Sequence, residues 1–499
     1  MGAQSSKEQE QQDYKDYEKH NDSYSTSSMS MLSNQYAHLN LVDESSIDAS
    51  RYTATLSSDT LAKYSKNFYK DDKNLLARNA IVGTDPTQVM LNPKAAQQDK
   101  HVFNVKLDLE GSATNQKSSG RCWIFAGTNV MRLSVIQKYK LGDDFELSQS
   151  YLFFYDKLEK ANWFLENMID LAKEDINDRV VQYLLTDPVG DGGQFDMLIN
   201  LVEKYGVVPK SVFPETYASS NSRRLNWLVT VKLREFATQI RKSLDQGVSV
   251  QVIRFLKEKM MEDIYRILVI SLGEPPSQFD WETTDKAGKY VGVHHLTPKK
   301  FFREVVGYNI SETMSLINDP RNPINKLYTV DRLGNIVGGK PIRYVNTLSE
   351  TQKQLAINVL KSGRPVWFGC DVGQFSNNQI GAMDTKIYDY SLAYNVEFGL
   401  TKEERLLYKE SMMTHAMVFT GVHLDKDGKP VRWRVENSWG AETTGDKGFW
   451  VMSDDWFSSF VYQLVLEKSD VPRKLVNLLD TTPIVLPAYD PMGALACPQ

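Results

Sequence analysis

Cysteine is scarce: the 499 residues hold three, Cys122, Cys370 and Cys497. None stands at C-x-x-C or similar ligand spacing, so neither a zinc site nor a disulfide framework is indicated. That usage suits a reducing compartment, and a cytoplasmic protein is expected. Long apolar runs are missing too. The most apolar stretches, such as 267–272 and 365–370, fall far short of the roughly 18 residues of a membrane-spanning helix, which leads us to expect a soluble chain. The first residues lack the apolar segment of a secretory signal. Charge leans little to one side, with 58 Lys and Arg against 63 Asp and Glu, too near balance for a global field that gathers nucleic acid or anionic membrane. No G-x-x-x-x-G-K-[ST] phosphate loop occurs. His294-His295 has no acidic or Cys partner at ligand spacing and reads as a solvated loop pair, so no metal and no cofactor are expected.

The length allows roughly two or three domain-sized units, and 41% hydrophobic with 24% charged residues is ordinary for a globular protein. Residues 1–52 are polar and repetitive, too poor in aliphatics to form a core, and read as a disordered extension. Within them Met1-Gly2-Ala3-Gln4-Ser5-Ser6 fits the M-G-x-x-x-[ST] pattern, making Gly2 a lipidation candidate. One myristoyl chain would give only weak membrane association. Folded sequence begins between Thr53 and Phe103.

A helix is expected over 121–141, with Trp123, Phe125, Val130, Met131, Leu133 and Ile136 as its core-facing stripe and Gly142 as its stop. Ser118, Ser119 and Gly120 offer capping and a tight turn before it. Cys122 thus falls in the first helical turn, where partial positive charge favours a thiolate. Amphipathic patterns between 226 and 272 predict further helices. Between 221 and 270 ten Lys and Arg face five Asp and Glu, which raises a local nucleic-acid surface including Arg223, Arg224, Lys232 and Arg234. From Lys340 onward short strands and turns prevail, and the four prolines of 483–499 make that segment an extended arm.

Two of the strands, 415–422 and 431–437, flank the turn-forming Asp425-Lys-Asp-Gly428 and predict a hairpin centred on residue 426. That register sets His415 opposite Asn437, Met417 opposite Val435 and Phe419 opposite Trp433, all on one face. An Asn oxygen that accepts from one ring nitrogen of His415 fixes its tautomer and leaves the other nitrogen to exchange a proton with a nucleophile. Cys122 is the good nucleophile available, and beside an imidazolium it would ionise at neutral pH. Gln116 could aim its amide N–H at the same carbonyl oxygen and, with the Cys122 backbone N–H, form an oxyanion hole.

Gln116-x5-Cys122-Trp123, His415-Ala416 and Asn437-Ser438-Trp439-Gly440, in that order, resemble the papain-like cysteine proteases. Asn115–Trp123, the segment 146–161, Asp191-Gly-Gly-Gln194, Val435–Gly440 and Asp490-Pro-Met-Gly-Ala-Leu-Ala496 look like the bleomycin hydrolase family, over about residues 55 to 496. The resemblance implies an α+β, two-lobed papain-like fold over 53–482, with a large helical insertion at about 210–340 that builds subunit contacts. The arm 483–499 would lie in the active-site cleft. Cys122 is then the nucleophile, His415 the base and acid, Asn437 the orienter, Gln116 the oxyanion donor and Trp439 a cover over the His–Asn bond. Trp123 supports the site, and Gly192 and Gly193 line the substrate cleft. A carboxylate near Ala496 would meet a substrate's free ammonium and limit the enzyme to N-terminal residues. The resemblance further implies a homohexameric ring, hydrolysis of peptides with free N-termini, small amides such as bleomycin, and homocysteine thiolactone, and nucleic-acid binding by some members.

This chain departs from the pattern in places. Secreted papain-like enzymes carry cysteines three residues before the nucleophile and two before the glycine pair, where Ser119 and Gly190 stand here. Nucleophile and base lie 293 residues apart, beyond the roughly 130 to 150 of papain and cathepsins. Cys497-Pro498-Gln499 extend past the family's usual ending, so trimming by the enzyme itself is expected. A ring-shaped nucleic-acid-binding protein is the alternative reading. An acyltransferase with the same nucleophile is a third, which Gln116 and Asn437-Ser-Trp-Gly disfavour.

Overall fold

The computed structural model describes residues 55–98, 101–442 and 444–496. The polar extension 1–52, the Gly2 motif and Cys497-Pro498-Gln499 lie outside the described residues. The described residues form two compact units, one of 55–91 together with 388–401, the other of 92–387 together with 402–496. In the first unit the helices Ser58–Phe68, Asp72–Ile81 and Pro86–Met90 each start at a side-chain cap, from Ser57, Asp71 and Asp85.

The second unit is α+β. Its first long helices are α1 (Cys122–Tyr139), α2 (Gln149–Asp170), α3 (Phe195–Tyr205), α4 (Arg223–Asp245) and α5 (Val250–Leu272). Then follow the two-stranded hairpin β1 (Phe279–Thr284) and β2 (Tyr290–Leu296), and β3 (Thr313–Ile317), β4 (Leu327–Val330) and β5 (Tyr344–Asn346). After these come α6 (Ser349–Lys361), β6 (Val366–Cys370), β7 (His415–Leu424), β8 (Pro430–Glu436), β9 (Phe449–Ser453), α7 (Asp454–Phe460), β10 (Val461–Glu467) and β11 (Ile484–Leu486), with shorter elements between them. The large sheet runs β11-β4-β5-β3-β10-β6-β7-β8-β9 and continues past β9 through the short strands Ala382–Met383 and Ser376–Asn377, while Val105–Lys106 pairs with β7. Its middle is buried on both faces: Trp367, Ala416 and Val418 pack with α1 and α2, while Phe368, Met417 and Phe419 pack with α6 and α7. That is why β6 reads as an unbroken Val-Trp-Phe-Gly-Cys.

Several local expectations are corrected. Rather than one stripe, α1 is buried on every side from Cys122 to Arg132, because it lies between the sheet and the other helices. No side chain caps its start; Ser119 Oγ instead donates to the Gln116 carbonyl and accepts from Arg121 Nε. It ends before Gly142, with Lys140 in the left-handed region at φ 55°. Strands occur well before Lys340, at Val105–Lys106 and from Phe279 onward, and His294-His295 is exposed on β2 rather than in a loop.

The hairpin register is also shifted. Gly428 takes φ 78° and Asp425 pairs with Lys429, so the turn centres on 427. Phe419 therefore faces Val435, and Trp433 faces Val422 across a bulge. A one-residue move of the turn changes each pair by two, which preserves the pleat's parity, so His415 and Asn437 keep the same side.

Candidate active site

The start of α1 buries Cys122 completely. Its Sγ donates to the carbonyl of Ala496 at 3.1 Å, so the chain's own arm occupies the thiol. Ala496 lies antiparallel to Gly193, with its N–H on the Gly193 carbonyl at 3.4 Å, and Gln194 Nε2 donates to the Ala494 carbonyl. Gly193 must be glycine, since a Cβ would come within 2.4 Å of the Trp123 ring. The arm is held upstream by β11, parallel to β4, and by Arg321, whose guanidinium bridges Asp490 and Asp319, each at 2.8 Å. The Arg179 guanidinium lies 3.5 Å from the Tyr489 ring centre.

His415 opens β7 and is fully buried. Its Nε2 meets Asn437 Oδ1 at 2.8 Å, and Trp439 lies over it with ring centres 4.8 Å apart. The amide oxygen can only accept, so Nε2 carries the hydrogen and Nδ1 keeps its lone pair. Nδ1 is buried without a hydrogen-bond partner. Burial pushes His415 down to about 4, against the bond from Asn437, so with the arm in place its ring is neutral at pH 7 rather than the expected imidazolium.

Gln116 joins these two groups. Its backbone N–H donates to the Ser438 carbonyl at 2.9 Å, its Oε1 accepts from Ser438 Oγ at 2.7 Å, and its Nε2 donates to the Ser119 carbonyl at 2.6 Å. One Nε2 hydrogen is left over from that set. Cys122, Trp123, Gly193 and Ala496 are thus assembled, as are His415, Asn437 and Trp439, with Gln116 and the Asn115–Trp439 bridge between them.

Beneath the site lie charges that the sequence reading passed over. Lys160 Nζ donates to the carbonyls of Gly190 and Gly192, at 2.9 and 2.6 Å, and pairs with Asp156 at 2.7 Å. Lys157 donates to the Val189 carbonyl and pairs with Asp191 at 2.7 Å. All four side chains are buried. The available signal was Asp156-Lys157 and Lys160 directly after the aromatic run Tyr151-Leu-Phe-Phe-Tyr155 and before Trp163-Phe164, where charge implies internal pairing. The basic stretch of α4 and α5 is largely engaged within the molecule: Arg234 and Arg241 bind backbone carbonyls, and Lys232, Arg254, Lys257, Lys259 and Arg266 pair with acids. His294 Nδ1 lies 3.7 Å from Asp280 Oδ1, both exposed, and no cluster of three metal-ligating side chains occurs among the described residues.

The profile of the Peptidase C1-like family matches residues 55–493. The chain belongs to that family. It is a papain-like cysteine peptidase, a hydrolase. It is 44% identical over 453 residues to bleomycin hydrolase of Rattus norvegicus, covering 89% of this chain and 99% of the relative. To aminopeptidase C of Streptococcus thermophilus it is 42% identical over 444 residues, covering 89% and 99%. The crystal structure of PepW from Lactobacillus rhamnosis HN001 superposes with a TM-score of 0.87 at 45% identity, covering 89% of this chain and all of that one. This peptidase therefore shares both sequence and fold with its relatives over nearly their whole length.

Proposed function

We propose that this cysteine aminopeptidase releases residues one at a time from free peptide N-termini in a reducing, cytoplasmic setting. Cys122 attacks the first carbonyl, with His415 taking the thiol proton and then giving it to the leaving amine. Asn437 holds the imidazole, Gln116 and the Cys122 backbone N–H receive the oxyanion, and water through His415 frees the acyl-enzyme. Trp439 shields the His–Asn bond, and Gly192 and Gly193 admit the substrate backbone. The observation that carries the reading is the Ala496 carbonyl on Cys122 Sγ at 3.1 Å, with Ala496 laid antiparallel on Gly193: a peptide seated as a substrate would be, entering from one side only. An arm filling one half of the cleft leaves room for few residues before the scissile bond. Small amides such as bleomycin, and homocysteine thiolactone, fit the same acyl chemistry. A six-subunit ring goes with this reading; exposed Trp227, Phe255 and Ile270 on α4 and α5 support it, and light scattering tests it.

Peptide digestion followed by mass spectrometry tests the activity. Free-amine peptides should shorten stepwise from the N-terminus while N-acetylated ones stay intact, and Cys122→Ala should lower the rate by roughly 10³-fold or more. Internal cleavage by the wild type, or an active Cys122→Ala, overturns the reading.

A further inference from the structure

Two loops meet at the thiol: 119–121 leads into Cys122, and 189–193 carries Gly193. One carboxylate joins them. Asp191 Oδ2 accepts from the Gly120 backbone N–H at 2.9 Å and from the Ser222 hydroxyl. Its Oδ1 accepts from Asn226 Nδ2 at 2.7 Å and meets Lys157 Nζ at 2.7 Å. The Asp191 carbonyl adds a second tie, accepting from Trp123 Nε1 at 2.8 Å. The approach to α4 is laced to the same loop, for Ser118 N–H donates to the Ser220 carbonyl at 3.0 Å and Ser222 N–H to the Ser118 carbonyl at 3.4 Å. Four segments thus converge on one buried side chain: the nucleophile loop, the glycine loop, α2 through Lys157, and the start of α4.

We infer that Asp191 is a positioning residue of the reaction: it sets the spacing between the Cys122 thiol and a substrate backbone lying along Gly193, and Ser222 and Asn226 bring α4 into that task. The inference rests on the proposed peptidase function. Four donors point at this carboxylate, and a carboxylate can accept from all four. An amide could not, because its NH₂ would face donors. Burial alone would raise the acid's pKa, but Lys157 and the hydrogen bonds outweigh it and hold Asp191 well below the usual carboxylate range, so the charge persists at any working pH. Lys160 holds the Gly190 and Gly192 carbonyls independently. Loss of the Asp191 carboxylate therefore leaves the glycine loop supported while its registration to the thiol loosens, resting on the Trp123 tie alone.

The test uses full-length Asp191→Asn and, separately, Ser222→Ala/Asn226→Ala. Release from an N-terminal aminoacyl anilide is measured per thiol that iodoacetamide can alkylate, with thermal melting as the check on folding. Misplacement by about 1 Å lowers reactivity by up to about 10²-fold. Asp191→Asn should therefore lose at least about tenfold in kcat with KM changed less than about twofold, and the double variant at least about threefold in kcat. A lower Tm with wild-type kcat per thiol, or a raised KM with unchanged kcat, overturns the inference. Should Asp191→Asn fail to fold, the double variant, which keeps the Lys157 pair, decides by the same criteria. A wild-type chain that releases no N-terminal residue removes the functional reading and this inference with it; an active wild type matched by its variants removes the inference alone.

Discussion

At His415 burial and chemistry pull in opposite directions. Complete burial lowers its pKa to about 4, while a free histidine titrates near 6.5. The unfolded chain thus binds this proton more readily than the folded one between those values, and the contribution of the neutral ring to stability falls as pH drops from about 6.5 to about 4. Melting curves across that range should show His415→Gln losing less Tm on acidification than the wild type; parallel losses would exclude His415 as the source. Removing the acceptor of Nε2 is a separate matter. Asn437→Ala should lower kcat by roughly 10²-fold with a smaller change in KM, read by steady-state kinetics, because the ring loses its fixed tautomer. Gly193 has no room for a methyl group, with the Trp123 ring 2.4 Å from any Cβ. Gly193→Ala should cost roughly 1–3 kcal/mol by overpacking, visible as a lower Tm.

Among the elements, the arm offers the sharpest contrast. Asp490 holds two roles, capping Met492 N–H at 2.8 Å and pairing with Arg321 at 2.8 Å. Asp490→Asn keeps a capping side chain and leaves Arg321 its Asp319 partner, so the fold is spared while the arm loses its charged anchor. The variant should begin to cleave N-acetylated peptides internally, which mass spectrometry of the products reads directly; strict N-terminal release would mean that β11 and Gln194 suffice to hold the arm. The hairpin shows how far local sequence carries. Asp-Lys-Asp-Gly announced a turn, but the glycine's left-handed conformation, which fixes the register, depends on a three-residue loop that the sequence does not distinguish from a tighter one. The His–Asn apposition was legible because strand parity survives such a slip. By contrast, the all-round burial of α1 was hidden, since its polar Asn129 and Arg132 are paired inside, with Thr114 and Glu436, rather than exposed.

Over the whole molecule, the His415–Asn437 contact could be read from strand spacing, whereas the partners of the buried charges near it could not. Lys157, Lys160 and Asp191 earn their places by contacts 30 to 71 residues distant, which no local pattern encodes. The far end of the chain carries its own prediction. If the site trims residues beyond Ala496, intact mass should show wild-type protein shortened at its C-terminus and Cys122→Ala retaining Cys497-Pro498-Gln499. Ala496 is tied to Asp490 by only six intervening peptide links, and a ligand on so short a tether acts at an effective concentration in the millimolar range. A soluble inhibitor that needs the arm's side of the cleft must compete with that resident peptide and will look weak, whereas one built outward toward the substrate's C-terminus, on the leaving-group side, meets no such rival and will show its intrinsic affinity.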